Sequence, residues 1–97
     1  MRIVRRAQAE DDLIAIWSYV AVHDMTAADR LLDRIEARWQ LLATQPRAGR
    51  AREDLGSGIR QVTIGNYLVF YRLESDALVI LRVLHGHRDI GGGDVSG

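Results

Sequence analysis

The sequence predicts an α+β fold of two layers, a helical hairpin packed on a mainly antiparallel sheet. Three observations carry this reading. Two consecutive stretches in the first half repeat apolar residues at helical spacing. The second half holds short runs of Val, Ile, Leu and aromatic residues separated by polar or glycine turns. Two amphipathic helices on a short link form a slab that needs a sheet beneath it.

The elements follow in order. Arg2–Arg6, with Ile3 and Val4, suits a strand at a sheet edge, where its Arg residues discourage aggregation. From Ala7 to about His23, Leu13, Ile16, Trp17 and Val20 share one helical face, and Glu10, Asp11 and Asp12 favour the helix start. After the break at His23-Asp24-Met25, Thr26-Ala27-Ala28-Asp29 has capping-box form, with Thr26 as the expected N-cap. The second helix repeats Ala28, Leu31, Leu32, Ile35, Trp39 and Leu42 and ends at Pro46. Arg30, Arg34, Arg38 and Glu36 read as its solvated face, and Trp17, Leu32 and Trp39 as core.

Ala48–Arg52 allows a short strand, Gly56-Ser57-Gly58 a turn, and Ile59–Ile64 a strand. Gly65-Asn66 turns into Tyr67–Leu73, and Glu74-Ser75-Asp76-Ala77 separates this run from Leu78–Leu84. Neither run reaches helix length, so together they read as a β-hairpin at the centre of the sheet. The order is β-α-α-β(3-4). The glycine-rich stretch after Asp89 has no periodicity and little to bury, so residues 90–97 are expected to be a disordered tail.

Composition limits the function classes. Ninety-seven residues make one domain, with enough chain for one core. No cysteine is present, which excludes disulfides and thiolate metal sites. No apolar run reaches the roughly 18 residues that span a bilayer, and the N-terminus turns acidic where a signal peptide turns apolar. The expectation is a cytoplasmic protein without membrane contact. All 13 basic residues are Arg, yet the net charge is zero, which argues against nonspecific coating of nucleic acid.

With Leu73 opposite Leu78, one face of the hairpin carries Tyr67, Val69, Tyr71, Leu73, Leu78, Ile80, Arg82 and Leu84. The other carries Leu68, Phe70, Arg72, Val79, Leu81, Val83 and His85. Both faces are apolar, and two helices cover only one, so a partner is expected on the second. The alternative is that the tail or the Arg47–Gly58 loop folds over it. Arg82 lies in an apolar strand and needs a carboxylate, with Asp54 and the acids of the first helix as candidates.

The residues resemble the ParE branch of the RelE/ParE toxins of bacterial type II toxin–antitoxin systems, from about Ala9 to Asp89. The likeness rests on Asp12-Leu13-x-x-Ile16-x-x-Tyr19-Val20 and Pro46-x-x-Gly49-Arg50-x-Arg52-x-Asp54-Leu55. It continues through Gly58-x-Arg60, Tyr67-x-Val69-Phe70-Tyr71-Arg72 and Arg82-Val83-Leu84-His85-Gly86-x-Arg88-Asp89. The resemblance implies a two-layer RelE/ParE-like toxin domain over residues 1–89, with the first strand beside the last. It also implies a cognate antitoxin that wraps the toxin, and contact with operator DNA only through that antitoxin. The antitoxin is expected on Leu68, Phe70, Arg72, Val79, Leu81 and Val83.

RelE-like members cut mRNA on the ribosome, whereas ParE-like members poison DNA gyrase. Where RelE-like cleavage places a basic side chain after the first Tyr of this strand, the sequence has Leu68, while Arg88 is retained. Leu cannot stabilise a phosphorane, so gyrase inhibition is the expected activity, with Arg88, His87 and Arg60 as target contacts. Neither a cofactor nor a small-molecule substrate is implied. The alternatives are a ribosome-dependent endoribonuclease using Arg88, His85 and His87, and a degenerate toxin acting as corepressor. His85-x-His87 is a poor metal pair, because only Asp89 lies near in sequence. The plainer reading of His85 and Arg88 is a strand end with a paired Arg.

Overall fold

The computed structural model describes residues 1–86 and 90–95. It contains β1 (Arg2–Arg5), α1 (Ala7–Ala21), α2 (Met25–Thr44), β2 (Arg50–Ala51), β3 (Arg60–Ile64), β4 (Tyr67–Glu74), β5 (Ala77–His85) and a short turn of helix, α3 (Gly92–Val95). The sheet order is β1-β5-β4-β3-β2, with β1 parallel to β5 and every other pair antiparallel. The first strand therefore lies beside the last, and the α+β architecture agrees with the sequence.

Residues Val22–Asp24 link the helices. Asp24, not Thr26, is the N-cap of α2, accepting a 3.0 Å bond from the Ala27 amide. The helix starts two residues earlier than the Thr26 cap requires, because Asp24 already has extended geometry and an acceptor in reach. Asp29, expected to reach back to Thr26, instead accepts from the Trp17 indole at 2.8 Å and ties α2 to α1. Asp24→Ala should cost about 1 kcal/mol in urea denaturation, and Thr26→Ala much less. Equal effects would contradict the cap assignment.

The helices cover one sheet face. Leu13, Ile35, Trp39 and Leu42 pack there on Val62, Val69, Tyr71, Leu78, Ile80 and Val83. Trp39 is core as expected, while Trp17 and Leu32 are only half-buried. The Gly65-Asn66 turn has positive φ at Gly65 alone, the II′ pattern that suits a two-residue hairpin.

The β4–β5 pairing places Leu73 opposite Leu78 as expected, but it slips by one residue further on. Phe70 faces Arg82 and Tyr71 faces Ile80, so Leu81 is an extra residue on β5. The bulge exchanges the positions beyond it. Val83 turns to the helices and Leu84 to the opposite face, the reverse of strict alternation.

The second face is not bare. Phe70, Val79, Leu81 and Leu84 form a core with Leu55 and Ile59 from the loop before β3 and with Val95 from α3. Phe70 is 0% exposed and Leu81 and Val95 each 1%. This corrects the expectation that nothing within the chain covers the face. Within the stretch 90–97 expected as a tail, residues 90–95 fold back: the Asp94 amide donates to Gly91 O, and Asp94 O accepts from Arg82 at 2.7 Å, while residues 96 and 97 lie outside the described residues. A few well-placed apolar side chains close a sheet this small.

Candidate functional site

The chemistry-bearing residues gather where β5 outruns β1. The parallel pairing stops at Arg5–Ile80, leaving the edge of β5 beyond Leu81 without a strand among the described residues. Asp12, on α1, fills this gap. Its Oδ2 accepts from the Val83 amide at 2.9 Å and from Arg82 Nε at 2.8 Å, while Oδ1 accepts from Arg82 at 2.9 Å. Arg82 thus joins α1, β5 and, through Asp94 O, the C-terminal turn. The hydrogen bond to Asp12 raises the Arg82 pKa further, against the effect of burial, so the guanidinium stays charged at any working pH. Of the acids offered as its partner, Asp12 is the one used; Asp54 pairs with Arg52 at 2.9 Å instead.

At the end of β5, His85 is exposed and stands edge-on to Tyr67, with ring centroids 5.5 Å apart. The Gly86 amide donates to Asn66 O at 2.8 Å, and Leu68 lies half-buried close by. His87, Arg88 and Asp89 lie outside the described residues. Among the described residues, no three His, Asp or Glu side chains are placed to hold a metal ion. Likewise, no helix there is long and apolar enough to cross a membrane.

The other expected contact residues have structural neighbours. Arg72 pairs with Glu74 at 2.6 Å on the second face. Arg60 donates to Gly49 O at 2.8 Å and to Arg47 O at 3.1 Å, holding the loop after α2. That loop is also pinned by Tyr71, whose buried hydroxyl accepts from the Gly49 amide at 2.9 Å and donates to Pro46 O at 2.8 Å. The sequence reading did not single out Tyr71. Its signal is the distant pairing of Pro46-x-x-Gly49 with a Tyr in a strand otherwise made of core residues.

Comparison with solved structures places this fold beside a chain from a chromosomal ParDE TA system of P. aeruginosa. The TM-score is 0.74 at 23% identity, covering 88% of this chain and 95% of that one, a likeness of fold. Residues 3–90 match the family model described as ParE toxin of type II toxin-antitoxin system, parDE. Toxin ParE3 of Caulobacter vibrioides is 33% identical over 90 residues, 92% of this chain and 90% of that protein. Toxin ParE1 of Mycobacterium tuberculosis is 30% identical over 64 residues, 65% of each. The chain belongs to the ParE toxin family of type II toxin–antitoxin systems.

Proposed function

We propose that this toxin inhibits DNA gyrase in the cytoplasm and is neutralised by a cognate antitoxin. Family membership supports the toxin role. The choice of target rests on one observation, the half-buried Leu68 on the sheet beside Gly86. A RelE-like cleavage site would need a cation there to stabilise a pentacovalent phosphate, and an alkyl side chain supplies none. Arg88 would contact the target as a charged group, with His87 next to it in sequence as a further contact. Arg60 contributes by fixing the loop after α2, because its bonded nitrogen is committed to backbone carbonyls.

An antitoxin reaching Phe70, Val79 or Leu81 must first displace Val95 and its turn; Leu68 and Arg72 are the half-buried members of that face. The test uses wild-type protein freed of antitoxin. Loss of gyrase supercoiling, or trapped cleaved DNA, with intact mRNA on ribosomes is the expected result. Codon-positioned mRNA cleavage with gyrase untouched would reject it and make His85, His87 and Arg88 the catalytic candidates. Inertness in both assays, with operator binding only alongside antitoxin, would favour the corepressor reading.

A further inference from the structure

The arginines divide into two groups. Among the described residues, Arg2, Arg5, Arg6, Arg52, Arg72 and Arg82 each have a carboxylate within 4.0 Å. Arg60 donates to the carbonyls of Arg47 and Gly49, and Arg50 lies near enough to Asp54 to stabilise its charge. Arg30, Arg34, Arg38 and Arg47 have no carboxylate in that range among the described residues, and all four are exposed. They lie on α2 and on the loop that follows it. The zero net charge of the chain therefore coexists with a strip of unpaired positive charge on one side.

The strip has a regular geometry. Arg30, Arg34 and Arg38 stand four residues apart on one helix, so each lies roughly 6 Å along the axis from the next. Three adjoining hollows of about 290, 240 and 360 Å³ carry the strip onward. The first shares Arg38 and Leu41 with the second, which shares Gln45 and Ala48 with the third. Arg34 and Arg38 line the first, and Arg47 lines the third. Among the described residues, no Asp or Glu lines any of them, and no Phe, Tyr or Trp does either. Like charges at successive i, i+4 positions oppose helix formation, so the folded chain keeps this row against its own stability.

We propose that Arg30, Arg34, Arg38 and Arg47 form a contact strip for the phosphodiester backbone of duplex DNA, bound without regard to base sequence. A step of roughly 6 Å is on the order of the distance between neighbouring phosphates on one strand. Each guanidinium fork can donate two bonds to one phosphate. A duplex holds its phosphates at fixed spacing, which suits side chains fixed in a row on a helix. A single strand is gripped by aromatic side chains on which its bases stack, and the hollows offer none. An acidic peptide could meet the same charges. Charge that continues to Arg30, a full turn beyond the apolar lining of Leu41 and Ile64, fits a polyanion better. The inference goes beyond the reading above and does not depend on it, since it gives the toxin a DNA contact of its own whichever protein is its target.

The test follows fluorescence anisotropy of two unrelated labelled duplexes, each about two helical turns long. The full chain freed of antitoxin is compared with Arg34→Gln/Arg38→Gln and Arg2→Gln/Arg6→Gln. Both variants lose the same charge, but the second removes arginines that already have carboxylates. Unchanged circular dichroism verifies folding. The two duplexes should bind alike, and the logarithm of affinity should fall against that of salt with a slope of roughly −3 to −4. Arg34→Gln/Arg38→Gln should weaken binding about tenfold or more at low salt and make the slope shallower by about 2. Arg2→Gln/Arg6→Gln should leave the slope as it is. Arg34→Lys/Arg38→Lys, which keeps the charge, should restore the wild-type slope. Absence of saturable binding at low salt, an unchanged slope in Arg34→Gln/Arg38→Gln, or equal losses in both glutamine variants would overturn the strip. So would binding of oligothymidylate or polyglutamate through Arg34 and Arg38 where the duplex does not bind. The first would assign these charges to a single strand and the second to an acidic peptide.

Discussion

Replacing Asp12 by alanine is expected to cost about 3–5 kcal/mol, the range for breaking a buried ion pair by removing one member. Both side chains are largely shielded, with 16% of Arg82 and 13% of Asp12 exposed. The loss leaves Arg82 charged without its carboxylate and strips the Val83 amide of its acceptor at a strand edge. Asp12→Asn should fall between, since it can still accept from one donor but carries no charge. Replacing both residues, as Asp12→Leu/Arg82→Met, should cost less than the two single changes together, because neither charge is then stranded. Hydrogen exchange adds a local readout: residues 90–95 should lose protection in Arg82→Met, since Arg82 donates to Asp94 O. Urea denaturation of wild type, Asp12→Leu, Arg82→Met and the double variant measures the cycle. A loss below about 1 kcal/mol for Asp12→Ala, the level of a solvated surface pair, would contradict this account.

That pair marks the boundary of what the sequence made legible. An Arg in an apolar strand demands a carboxylate, so the need was readable and the acids of the first helix were among the candidates. Choosing Asp12 over Asp54 required the relative placement of α1 and β5, which no local pattern encodes. The helices were readable because Leu13, Ile35, Trp39 and Leu42 repeat at a period that only one structure satisfies. The faces of β5 were readable only as far as Leu81. A bulge changes the parity of every later side chain, and nothing in Leu81-Arg82-Val83 announces it. The second face failed for a different reason. Counting large apolar residues in the loop and tail gave too few to cover it, whereas Leu55, Ile59 and Val95 suffice when each sits over a buried neighbour. The Arg30, Arg34 and Arg38 row was read as solvated surface, and all three residues are exposed.

The Tyr71 anchor carries the other large expected effect. A Cβ added at Gly49 would lie 2.4 Å from the Tyr71 hydroxyl and 2.7 Å from its ring, so Gly49→Ala must push apart a fully buried side chain and the loop it holds. Overpacking typically costs about 1–3 kcal/mol, and loss of the Gly49 hydrogen bond adds to it, so about 3 kcal/mol or more is expected. Tyr71→Phe should cost about 1–3 kcal/mol, because the Gly49 amide and Pro46 carbonyl lose their partner. The double variant should be less destabilised than the sum, since removing the hydroxyl relieves the closest contact. The phenol also sets a pH signature. Burial raises the Tyr71 pKa, outweighing the opposing pull of the Gly49 amide and Arg60. The folded protein therefore keeps this proton after the unfolded chain, titrating near pH 10, has released it. The stabilisation is full below that value and is lost as pH rises through the folded-state pKa. Wild type should accordingly lose more stability than Tyr71→Phe between about pH 9 and pH 11, and parallel pH curves for the two proteins would show that the hydroxyl is not held as described.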